Sequence, residues 1–82
     1  MREYQIAPPH VAGNAPRAVL TGREEVLIEG HTGLFSYETK CIRVRTEAGL
    51  WTVEGEGLTI DFFGAQDLLI RGRIADLTLG DG

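Results

Sequence analysis

The chain reads VLIEG at residues 26–30, WTVEG at 51–55 and LLIRG at 68–72. Each stretch is an apolar run with a β-branched residue, then one charged residue and a glycine, and each is followed by further β-type sequence. Residues that favour a pleated, half-buried surface, stopped at intervals by glycine, specify a small all-β body whose strands bend or turn at those glycines. The steps between the units are unequal, 25 and then 17 residues from Gly30 to Gly55 to Gly72. A solenoid needs a fixed period, so successive bent hairpins are the simpler arrangement.

Outward from these units the same pattern continues. RAVLT at 17–21 is a short first strand turned by Gly22-Arg23, and EVLIE at 25–29 alternates with Val26 and Ile28 on one face. Gly30-His31-Thr32-Gly33 reads as a tight link, and Leu34 to Glu38 as a third strand followed by a Thr39-Lys40 turn. CIRVRT at 41–46 alternates most cleanly, Ile42 and Val44 against Arg43 and Arg45. Glu47-Ala48-Gly49 closes a hairpin onto LWTVE, Gly55-Glu56-Gly57 marks a bend or bulge, and LTIDF at 58–62 puts Leu58, Ile60 and Phe62 inward. A last bent pair, split at Gly72, runs to Leu79. No window suits a helix of ordinary length. Each unit offers one apolar face, so two layers must stack. The expected fold is a small antiparallel sandwich or β-roll of about seven or eight short strands, with Leu34, Ile42, Val44, Val53, Leu58, Ile60, Ile70 and Ile74 in its core.

Residues 1–16 stand apart. They hold all three prolines and read as a flexible arm ahead of a single domain at 17–79, with 80–82 as a loose end. At 82 residues there is material for one core, and a domain of this size buries roughly 60% of its unfolded surface, so association with another chain is a natural supplement. The net charge of −4 and the absence of a basic cluster argue against nucleic acid and against a polybasic membrane contact. No stretch has the length and apolarity of a membrane span, and the first residues lack a signal-peptide core. The single cysteine, Cys41, reads as a half-buried packing thiol.

Chemistry-bearing patterns are few. The only serine, Ser36, lies mid-strand without a nucleophile elbow. His10 and His31 with Cys41 have no metal-ligand spacing. Glu54 and Glu56 share a side of an extended strand, but their flanking glycines make them turn residues rather than a catalytic pair. The chain therefore reads as a non-enzyme with no cofactor and no metal. His31 is the polar residue to single out, as a turn histidine bonding a local carbonyl or, more sharply, as an intersubunit or pH-sensitive contact. Trp51, Phe63 and Tyr37 are candidate exposed aromatics, because adjacent bulky residues on a strand cannot all face one core.

From Pro16 onward the motifs resemble the YabP/YqfC family of bacterial sporulation proteins: Pro16-Arg17 before a short strand and Gly22, IEGHTGL at 28–34, Tyr37, IRVR at 42–45, GLWTVEG at 49–55, LTI at 58–60 and LIRGRI at 69–74. The Pro-Arg opening leans to the YqfC branch; Gly30 stands where that branch usually has asparagine, and Glu56 where it commonly has lysine. The resemblance implies a non-enzymatic protein of endospore formation, cytoplasmic in the mother cell and reaching the forespore surface through a partner. The expected partners are further copies of itself, a membrane-anchored sporulation protein, or both. By motif position it points to His31, Gly33, Gly55 and Gly72 as turn or interface residues. The competing expectation is a small-ligand or glycan-binding module that uses the exposed aromatics.

Overall fold

A computed structural model describes residues 15–80, and within them the chain is all β. Six strands follow one another: β1 (Arg17–Thr21), β2 (Glu25–Glu29), β3 (His31–Glu38), β4 (Cys41–Thr46), β5 (Gly49–Phe63) and β6 (Asp67–Thr78). All neighbours are antiparallel, in the order β1-β2-β6-β5-β4-β3. Most of the expected arm, residues 1–14, lies outside the described residues.

Two long strands make one sheet act as two layers. Residues 67–71 of β6 lie between β2 and residues 59–63 of β5, and β1 flanks β2. Past the bend, residues 73–78 of β6 pair with 52–56 of β5, which leads on to β4 and β3. Val26, Ile28, Leu68 and Ile70 from the first layer and Ile42, Val44, Trp51 and Val53 from the second form a single buried cluster with Leu58 and Ile74. The sheet thus folds onto its own apolar face and removes it from water. Leu34 and Ile60, expected fully inside, are partly buried against this cluster.

The strand count is six rather than seven or eight. The sequence divides β5 at Gly55-Glu56-Gly57 and β6 at Gly72, whereas both strands run on through a bend there, with register shifts at Glu54/Gly55 and Glu56/Thr59. Glycine is required at the bend because the two backbones touch. A Cβ on Gly55 would run into the carbonyl oxygen of Arg73, and one on Gly72, at φ 141°, would come within 2.7 Å of the Gly57 carbonyl oxygen.

A third register shift, between Ile60 and Phe62, makes Asp61 an extra residue and reverses the phase of the strand end. Phe62 therefore lies opposite Leu69 and Phe63 opposite buried Leu68. This corrects the placing of Phe62 among the inward residues: it is exposed. The Gly30–Gly33 link is also shorter than expected, since only Gly30 bends and β3 begins at His31.

Candidate functional site

The residues singled out in the sequence fall into three places. His31 and Gly33 open β3 at the corner where the chain crosses from the first layer to the second. Gly55 and Gly72 sit at the shared bend. The aromatic residues divide between core and surface: Trp51, expected on the surface, is only 4% exposed, because its pairing with buried Val44 turns it inward. Tyr37 and Phe63 are about half exposed.

His31 is a buried structural residue rather than a turn histidine, at 6% exposure. Its Nε2–H donates to the Gly64 carbonyl at 2.9 Å, across 33 residues of sequence rather than locally. Its ring stacks on Phe63 with centroids 5.2 Å apart. The amides of Gly30 and His31 both donate to the Gln66 carbonyl, at 2.7 and 3.0 Å. These bonds fasten the loop between β5 and β6 to the layer-crossing corner. The other ring nitrogen, Nδ1, is buried without a hydrogen-bond partner among the described residues, as is the indole Nε1–H of Trp51. Gly33 has φ 148° and open space where a Cβ would point, with only Arg45 Cδ at 4.0 Å.

Folding the sheet leaves two seams, and they differ. At one, β3 approaches the outer side of residues 58–63 of β5. This seam is latched along its length: the Leu58 amide donates to Thr39 at 2.8 Å, the Gly55 amide to Lys40 at 3.0 Å, and the Ile60 amide to the Tyr37 hydroxyl at 3.3 Å, with His31 and Phe63 stacked at the far end. At the other, β1 and its turn face residues 73–78 of β6. It is latched only beside the bend, where Gly72 donates to Glu24 at 3.1 Å and Ile74 to Arg23 at 2.7 Å. Farther along it opens as a groove of about 460 Å³ whose lining includes Leu20, Arg23, Ile74, Ala75, Asp76 and Leu77. Leu20 lies opposite buried Val26 and so belongs to the core face, yet it is 49% exposed there.

The ion pairs among the described residues lie at the surface. On the outer side of the first layer Arg17 pairs with Glu29 at 2.9 Å, and Arg71 with Glu25 at 3.3 Å and Asp61 at 3.6 Å. On the second layer the Arg45 guanidinium covers the Phe35 ring at 4.8 Å. Among the described residues no group of three or more His, Cys, Asp or Glu is placed to hold a metal ion, and no helix is long and apolar enough to cross a membrane. What the surface offers is strand edge and apolar side chain.

Among curated proteins, the chain is similar to the uncharacterized protein YqfC of Bacillus subtilis (strain 168), 28% identical over 67 residues that span 82% of this chain and 72% of the relative. The model of the YabP family matches residues 13–82, which takes in every strand of the sheet. The chain belongs to the YabP family, a family linked to sporulation and with no known catalytic role.

Proposed function

We propose that this chain is a non-catalytic β-module of endospore formation that works by association, with further copies of itself or with a membrane-bound sporulation partner, on the cytoplasmic side of the mother cell. The observation that carries this reading is the open seam at β1. There, among the described residues, a core-facing leucine stands exposed beside a strand edge with no ladder partner, which is the arrangement that strand addition uses in protein recognition. Family membership supports the setting.

The ligand-binding alternative needs Trp51, Phe63 and Tyr37 on one concave face. Trp51 is in the core, so that face is not formed and the association reading is the one retained. The test is the solution mass of the full chain by light scattering over a concentration series, together with affinity capture from sporulating cells split into membrane and soluble fractions. A discrete oligomer, or a captured membrane-anchored sporulation protein, supports the reading. A strict monomer that captures nothing, in a strain whose spores form normally without it, overturns it.

A further inference from the structure

The outer side of the first layer carries an apolar row that crosses all of its strands. Val19 of β1 lies opposite Leu27 of β2, Leu27 opposite Leu69 of β6, and Leu69 opposite Phe62 of β5. Facing residues of a ladder share a face, and alternation with the buried Val26, Ile28, Leu68 and Ile70 turns this row away from the core. Phe62 joins it because the extra residue at Asp61 reverses its phase, and it is 55% exposed. A charged row flanks the apolar one on each side, two residues away along the strands. One holds Arg17, Glu29 and Asp67; the other holds Glu25 and Arg71, with Asp61 beside them. Arg17 is held by Glu29, and Arg71 is shared between Glu25 and Asp61, so each flanking row keeps one more carboxylate than guanidinium.

We infer that this face docks a basic amphipathic helix of an unlike protein, its apolar stripe on Val19, Leu27, Leu69 and Phe62 and its lysines or arginines over the surplus carboxylates on either side. This rests on the association reading above and gives it a second surface and a partner of stated chemistry. Within a sheet face the backbone groups are already paired in ladders, so an added strand finds no hydrogen bonds there, whereas a helix arrives with its own backbone satisfied. The row spans three strand spacings, about 14 Å, which is the length of about nine or ten helical residues. The flanking rows stand about 6.7 Å to either side, within reach of side chains on the flanks of a helix about 10–12 Å wide.

Charge selects this occupant. A second copy offers no basic sheet face: its first layer repeats the same surplus of carboxylates, and the outer side of its second layer sets Arg43 and Arg45 beside Glu38, Glu54 and Asp76. The chain's own residues 1–14 hold one arginine against one glutamate, with Pro8-Pro9 in their middle, so their sequence is not that of a basic helix. An anionic lipid surface is repelled by the same carboxylates. Segments beside membrane spans on the cytoplasmic side are rich in lysine and arginine, which is the chemistry this face takes.

The probe is a synthetic leucine–lysine peptide of about fourteen residues, with leucine at i, i+4, i+7 and i+11 and lysine on both flanks, titrated onto the full chain and followed by amide chemical shifts. Shifts confined to the apolar row and its two flanking rows are expected. Phe62→Ser, at an exposed site, should weaken binding at least about tenfold with the circular dichroism of the fold unchanged. Asp67→Lys should weaken it at least about fivefold at low salt, while Glu54→Lys, the same charge change on the other layer, leaves it within about twofold. Equal effects of Asp67→Lys and Glu54→Lys, unchanged binding by Phe62→Ser, or shifts centred on another face overturn the inference and leave association through β1 standing. A membrane-anchored sporulation protein captured equally by the parent chain and by Phe62→Ser also overturns the inference while the association reading survives. A parent chain that stays monomeric and captures nothing overturns both.

Discussion

Replacing Gly55 by alanine adds one methyl group at the place where the sheet folds, and the structure says why it is costly. Gly55 has no positive φ, so alanine meets no conformational objection there. The whole cost is steric: the new Cβ lands on the Arg73 carbonyl oxygen, with the Arg73 carbonyl carbon at 3.0 Å and Ile74 Cα at 3.1 Å, all backbone atoms of the facing strand. Relief requires β5 and β6 to part by more than an ångström where paired strands stand about 4.8 Å apart. Two flanking ladder bonds then lengthen, at about 1 kcal/mol each. Ile74 and Leu58, both buried beside the bend, lose part of the ~1.5–3 kcal/mol that each contributes by burial. The Gly55 amide is pulled from the Lys40 carbonyl it reaches at 3.0 Å. The sum is about 3–5 kcal/mol, a large share of what a domain of this size has. Gly57→Ala is the control: φ is 61° and the space around it is open, so only left-handed strain applies, about 1–2 kcal/mol. Urea unfolding at one low protein concentration measures both. If Gly55→Ala costs no more than Gly57→Ala, the bend is not a close backbone crossing and the reasoning fails.

Two further outcomes are expected. His31→Ala removes a buried ring and its bond to Gly64, so it should cost about 2–3 kcal/mol in urea unfolding and speed hydrogen exchange at the Gly30 and His31 amides; unchanged exchange would show that the loop is held by the backbone bonds alone. Arg71→Ala removes two exposed pairs at 3.3 and 3.6 Å and should cost under about 1 kcal/mol, a difference that shrinks in high salt when measured by the same unfolding.

How far the sequence speaks depends on whether a feature is local. The alternation of Ile42 and Val44 with Arg43 and Arg45 is a two-residue period, and β4 follows it with the two apolar side chains buried and the arginines out. Glycine punctuation located the bend correctly but not its kind. A glycine that ends a strand and one that lets a strand continue past a close neighbour look alike, and only the register of the facing strand, with Gly72 beside Gly57 and Leu58, separates them. The phase of Phe62 was lost for a similar reason, since one extra residue at Asp61 leaves no mark on the pattern before it. Leu50-Trp51 are both apolar, so alternation alone could not choose which entered the core; the pairing of Trp51 with Val44 does. His31 stood out by its glycine neighbours, but the carbonyl it serves is 33 residues away, beyond any local signal.

The two seams show how a sheet spanning residues 17–78 limits its bare strand edges. A folded-over sheet has four lengths of strand with a bare side: β1, β3, and the outer halves of β5 and β6. Among the described residues, two of them are covered along their length and a third, the outer half of β6, only beside the bend. β3 and the outer half of β5 cover each other through Thr39, Tyr37 and His31, and the bulges in β3 spoil its register for any newcomer. The outer half of β6 begins under the turn that follows β1, bonded to Arg23 and Glu24. Among the described residues, β1 keeps a flat, in-register edge, and its core-face Leu20 is half in water. On the association reading proposed above, Leu20 at the β1 edge is where a partner strand would cover apolar surface.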